Sequence, residues 1–171
     1  SATHTPTPTP HPLADLPYRI VFSSDREDGN GDIFTMKADG SDWIRLTDSS
    51  DFDFTPQVSP DGQKIAFASD RDGTLQIYIM NVDGSEVTRL TDNVGNDRDP
   101  SWSPDSNKIV FASDRNGDPD IFVIGSDGSG EQQLTDNEAM DVSPVWSPDG
   151  QWIVFSSSEE EEDPNLYLIS P

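Results

Sequence analysis

The chain repeats itself every 44 or 45 residues. Phe22, Phe67, Phe111 and Phe155 sit in near-copies of one phrase: I-V-F-S-S-D-R from Ile20, I-A-F-A-S-D-R from Ile65, I-V-F-A-S-D-R from Ile109 and I-V-F-S-S-S-E from Ile153. A period of this size, built from short alternating apolar segments bounded by Gly, Pro and Asp, predicts an all-β fold: a β-propeller of about four blades, each a four-stranded antiparallel sheet. Repeats of this kind bind only their neighbours, so the way the two ends of the array are finished becomes the main structural question.

Residues 1–12, S-A-T-H-T-P-T-P-T-P-H-P, are of different material and offer almost nothing to bury. The repeats then run over about 13–60, 61–104, 105–148 and 149–171, and the second and third are identical at half of their aligned positions. In each full repeat one strand alternates apolar residues, as in Lys64 to Ala68, and ends in a turn beginning Asp70-Arg71. A second strand follows at Gln76 to Met80, with counterparts at Asp32 to Met36, Asp120 to Ile124 and Asn165 to Ile169. The Asp-Gly pairs at Asp39, Asp83 and Asp127 are tight-hairpin signals, because both residues tolerate positive φ. A third strand ends in Leu-Thr-Asp at Leu46, Leu90 and Leu134, and a fourth carries Val58, Trp102 or Trp146 into a Ser-Pro-Asp turn. The Phe column, the column Ile33, Ile77, Ile121 and Leu166, and the Leu and Trp columns are the expected core. Each buried member contributes roughly 1.5–3 kcal/mol. No apolar stripe of helical period survives the density of Gly, Pro and Asp.

These phrases resemble the TolB-type propeller repeat. The sequence W-S-P-D-G-Q at Trp146 to Gln151, the phrase at Ile109 to Arg115 and the D-G-S and L-T-D steps carry the likeness over about residues 13–171. The resemblance implies four-stranded blades around a channel. It also implies a role as an interaction platform, or as a gating domain beside a separate hydrolase. The better-known members have six or more blades and an additional domain, so their partners do not transfer to this chain.

Composition narrows the partners. The formal charge is −23, from 33 acidic and 10 basic side chains, and the acidic excess runs through every repeat. Such a surface repels nucleic acid and anionic membranes. Cysteine is absent, and no apolar run approaches a bilayer span. A start at Ser1 suits a mature protein freed of a secretion signal, and together with the family resemblance it leads to an expectation of export to the bacterial periplasm or exterior.

His4 and His11 lie in or beside the N-terminal segment, so the propeller body has no imidazole and no thiol from which to build a Ser-His-Asp or Cys-His nucleophile. Catalysis is not expected. The repeated Asp-Arg pairs at Asp25, Asp70 and Asp114 read as turn caps and struts between blades rather than ligand contacts. Calcium is the cofactor considered. Asp28, Asn30 and Asp32, and again Asp114, Asn116 and Asp118, place oxygen side chains at alternate positions, and Asp97 and Asp99 add carboxylates in a connection. The bidentate Glu that closes a calcium loop is missing, and zinc lacks its usual Cys and His ligands.

Counting strands leaves the last blade without its outermost member, hence with an open edge. The N-terminal segment has a form suited to fill it. If it is extended, Thr3, Thr5, Thr7 and Thr9 direct their N–H groups to one side and the intervening prolines face the other. Its counterparts on the sheet would be Asn165, Tyr167 and Ile169. Docking in cis closes a ring, and docking in trans joins copies of the chain into an oligomer or filament. The alternative for this segment is a Thr/Pro linker in polyproline II, with Thr hydroxyls open to O-glycosylation. Three functions follow: a self-assembling structural subunit, a monomeric module recognising a protein or peptide at the channel mouth, and a sensor or gating fragment of a larger protein.

Overall fold

A computed structural model describes residues 18–26, 29–158 and 163–171. Fourteen strands form four antiparallel sheets among these residues. The first sheet contains β1 (Arg19–Ser24), β2 (Asp32–Lys37) and β3 (Ile44–Arg45). The second contains β4 (Asp53–Val58), β5 (Lys64–Ser69), β6 (Gln76–Asn81) and β7 (Thr88–Arg89). The third contains β8 (Asp97–Trp102), β9 (Lys108–Ser113), β10 (Asp120–Gly125) and β11 (Gln132–Gln133). The fourth contains β12 (Met140–Trp146), β13 (Ile153–Ser158) and β14 (Asn165–Ile169). Strands within each sheet lie in sequence order, as a meander requires.

The sheets straddle the sequence repeats. The strand carrying Val58 pairs with β5, with Val58 opposite Ile65, so the last strand of one sequence repeat becomes the first strand of the next sheet. The described first sheet therefore lacks an inner strand, and the fourth lacks an outer one.

Packing follows the two faces of each strand. Phe67, Ile65, Tyr78 and Met80 face the first sheet and pack on Ile33, with Val21 and Leu46 alongside. Ala66, Ala68 and Ile77 on the opposite face meet Phe111, Ile109, Trp102 and Phe122 of the third sheet. Val110, Ala112, Ile121 and Val123 then meet Trp146, Ile153 and Phe155 of the fourth. Small residues on one face receive large ones from the next sheet, which is how the layers reach interior density. Contacts are close enough that a Cβ on Gly84, whose φ is +86, would lie 2.8 Å from the Leu46 carbonyl oxygen.

The Leu-Thr-Asp step has a second use besides its leucine. Thr47, Thr91 and Thr135 Oγ1 each accept the backbone N–H of Ile33, Ile77 or Ile121 at 2.9 Å. These buried hydroxyls lock two-residue outer strands that have little ladder of their own.

Leu166 departs from the expected core. It is 78% exposed, against 0% for Ile121 at the same repeat position, because no further sheet covers its face among the described residues.

Candidate functional site

The fourth sheet is the place where the fold is left open. β14 pairs with β13 in register Phe155 to Tyr167 and Ile153 to Ile169, and no strand pairs with its other side among the described residues. Leu166, Leu168 and Val145 are exposed on this sheet, while Val123, the counterpart of Leu168, is buried. Of the three residues proposed as the strand acceptor, Ile169 packs into the core between the third and fourth sheets and Tyr167 stacks on Phe155 with ring centroids 6.0 Å apart. Asn165 is exposed at the start of the strand. Thr3, Thr5, Thr7 and Thr9 lie outside the described residues.

A second opening lies at the inner strands. Each of β4, β8 and β12 carries a bulge, marked by a register shift at Phe54/Gln57, Arg98/Ser101 and Val142/Val145. Thr55, Asp99 and Ser143 take positive φ there, of 50, 54 and 54°. That backbone is costly for residues other than Gly, and its recurrence at one repeat position marks it as part of the blade design. Together with Gln57, Ser101 and Val145 these residues line a cavity of about 300 Å³ along the first strands of the second, third and fourth sheets.

The acidic loops gather at one end of the sheets, and the pairing of their carboxylates decides what they can hold. The turn aspartates bridge neighbouring connections: Asp70 Oδ1 accepts the Phe52 N–H at 2.8 Å, and Asp114 accepts the Asn96 N–H at 2.7 Å. The arginines act within a sheet rather than between sheets. Arg71 Nη2 reaches both oxygens of fully buried Asp53 at 2.7 and 2.9 Å, and Arg115 Nη2 lies 3.3 Å from both oxygens of Asp97.

The expected calcium ligands are dispersed by the same pairing. Asp32 is buried against Arg45 and receives Thr47 Oγ1 at 3.3 Å. Asp97 is taken by Arg115 and Asn93, Asp114 by Asn96, and Asn116 Nδ2 donates to Gln133. Asp99 lines the cavity beside Thr55 and Ser143, and Asp118 Oδ2 is buried without a partner. Asn30 makes its own contacts, and Asp28 lies outside the described residues. Among the described residues no three His, Cys, Asp or Glu side chains come together as metal ligands. The described members of the expected set are therefore engaged with other partners and do not converge on one point.

The geometry defines a non-helical array of propeller blades whose turns, struts and bulges recur sheet by sheet. The chain belongs to the TolB beta propeller domain family, whose description matches residues 18–93 and 52–163. It is similar to a protein described as TolB from Agrobacterium tumefaciens, with a TM-score of 0.81 and 29% identity over 89% of this chain and 57% of that one. TolB from Acinetobacter baumannii superposes with a TM-score of 0.76 and 22% identity, over 89% of this chain and 38% of that one. An oligogalacturonate lyase in complex with manganese shares the fold at a TM-score of 0.63 and 20% identity, over 82% and 39%. The chain thus spans little more than half, or less, of the length of these structures. No curated protein sequence matches it. No helix among the described residues is long and apolar enough to cross a membrane.

Proposed function

We propose that this chain is a non-enzymatic, exported interaction propeller that associates with copies of itself by strand donation. The observation that carries this reading is the side of β14 that no strand among the described residues pairs with, on a three-stranded sheet beside two inner sheets that each have four strands. An open edge offers a row of backbone donors and acceptors to an incoming strand. The Thr/Pro segment at residues 1–12 suits that task, since its donors would face the sheet and its prolines would block a further strand. Membership of the TolB family supports an interaction role and an exported location. Calcium enters this reading as a counterion screening the acidic end, with no caged site.

Deleting residues 1–12 tests the strand. Sedimentation should show the intact chain as an assembly and the truncated chain as a monomer, and the free peptide 1–12 should bind the truncated chain. Equal sedimentation of the two forms removes the proposal. A second reading, a monomer that recognises a peptide at the channel, is favoured by the cavity at Thr55, Asp99 and Ser143. It is supported instead if the intact chain sediments as a monomer at every concentration.

A further inference from the structure

Each inner sheet has two covered faces, and the repeat gives them different side chains. The trailing face, turned to the next sheet, is built around small residues: Ala66 and Ala68 beside Ile77 in the second sheet, Val110 and Ala112 beside Ile121 in the third. The leading face, turned to the preceding sheet, is large: Ile65, Phe67 and Tyr78 in the second sheet, Ile109, Phe111 and Phe122 in the third. Three core clusters join the first sheet to the second, the second to the third and the third to the fourth in this way. Among the described residues none joins the fourth sheet to the first.

Each terminal sheet is left with one unmatched face. On the fourth sheet the pairings of Val145 with Val154, Val154 with Leu168, and Ser156 with Leu166 set these five side chains on the trailing face. Val145, Leu166 and Leu168 are exposed there, and none of the five carries a charge, in a chain whose formal charge is −23. On the first sheet Ile20 pairs with Met36 and Phe22 with Phe34 on the leading face. Ile20 is 43% exposed, where Ile65, Ile109 and Ile153 at the same repeat position are at 0%. Trp43 covers part of this face, with its ring 4.7 Å from that of Phe22. Arg71 and Arg115 lie at 4.9 and 4.2 Å from the Tyr78 and Phe122 rings in sheets that a neighbour covers, so a group standing over the ring pair is compatible with stacking.

We propose that the trailing face of the fourth sheet receives the leading face of the first sheet of a second copy, in the packing that the chain uses three times within itself. The two faces carry matching members of the repeat. Ser156 stands at the position of Ala68 and Ala112 and keeps the recess small, while Phe22 stands at the position of Phe67 and Phe111, which fill such a recess. Two trailing faces set against each other would oppose small residues to small ones, and interior density requires large against small. The contact is therefore heterologous: every added copy leaves one face of each kind open, so the array grows until its rotation closes a ring. It uses the face of β14, whereas strand donation uses the edge, so neither depends on the other.

The chain has no cysteine, so single introduced thiols report the contact. The full chain is cross-linked with a short bis-maleimide at about 0.15 M salt, where charges more than about 8 Å apart are screened from one another. A mixture of Ile20→Cys and Leu168→Cys chains should give a covalent dimer. Either variant alone should not, nor should Leu168→Cys mixed with Thr88→Cys, which places the thiol on an exposed outer strand of the second sheet. A chain carrying both Ile20→Cys and Leu168→Cys should give a ladder of products beyond the dimer. Ser156→Phe fills the recess and should lower the yield by about fivefold or more. Excess free peptide 1–12 competes for the edge of β14 and should leave the yield unchanged. A cross-link that this peptide removes belongs to strand donation and overturns the face contact. The proposal also falls if Leu168→Cys links to itself as strongly as to Ile20→Cys, or if no product exceeds the Thr88→Cys control.

Discussion

The third and fourth sheets are near-copies in sequence, yet matching residues occupy opposite environments. Ile121 and Val123 are 0% and 4% exposed, while Leu166 and Leu168, one repeat later, are 78% and 62% exposed. The apolar side chains are much the same, and so is the strand geometry. What differs is a neighbour, so burial in this fold belongs to pairs of sheets and not to the repeat. The two ends of the array differ as well. On the first sheet Trp43 folds over Phe22, edge-on with centroids 4.7 Å apart, and Arg26 lies 3.8 Å above the Trp43 ring. Val87 and Glu131 stand at that position in the following repeats. An aromatic lid thus covers part of one terminal face, and the described residues of the fourth sheet provide none for the other.

The largest expected effect concerns the arginine–aspartate pairs buried in the second and third sheets. Arg115→Met keeps the stem of the side chain but strands the fully buried Asp97, and this should cost about 3–5 kcal/mol in denaturant unfolding. Adding Asp97→Asn should recover much of the loss, because a neutral amide is cheaper to bury than an unpaired carboxylate. A loss below about 1 kcal/mol for Arg115→Met would mean that the struts are ornamental, as many surface pairs are.

A smaller effect tests the neighbour rule. Ile121→Ala should destabilise by about 2–5 kcal/mol through lost burial and a residual cavity. Leu166→Ala, at the same repeat position, should stay within about 0.5 kcal/mol in the unassembled chain. Measuring the pair in the assembled form sharpens the comparison: if another chain covers the face of Leu166, the second substitution becomes costly only there.

Much of this arrangement was legible in the repeat. The columns of Phe, Ile, Leu and Trp locate the core, and the Asp-Gly and Ser-Pro-Asp steps locate the turns, because these depend on spacing and on local backbone chemistry. The shortage of an outer strand on the fourth sheet also follows from counting. Three features were not legible. The exposure of Leu166 depends on a missing partner, which no local pattern reports. The partners of Asp97 and Asp114 are set by which connections meet at the acidic end, so alternating oxygen residues read as calcium ligands although they serve as caps and ion-pair partners. The strut role of the arginines was visible, but its placement within a sheet appears only once β4 pairs with β5.

The smallest effect is a pH dependence in which two sets of aspartates act in opposite directions. The turn aspartates Asp61, Asp105 and Asp149 sit below their ordinary value of 3.8, held there first by the hydroxyls of Ser59, Ser103 and Ser147 and then by backbone N–H groups. A carboxyl lowered in the folded state contributes stability that is present above 3.8 and lost as pH falls through its folded value. Asp120 is raised by burial, so its charged form opposes folding at neutral pH, and protonation relieves that opposition as pH falls toward and through its raised value. Stability of the chain should therefore rise slightly on mild acidification before it falls below pH 3.8. Asp120→Asn should erase the rise and leave the later fall in place, as read by urea midpoints across the pH series. A variant that keeps the rise would assign it to another group and break the contrast between Asp120, met by the amide of Gln133, and Asp53 and Asp97, neutralised by Arg71 and Arg115.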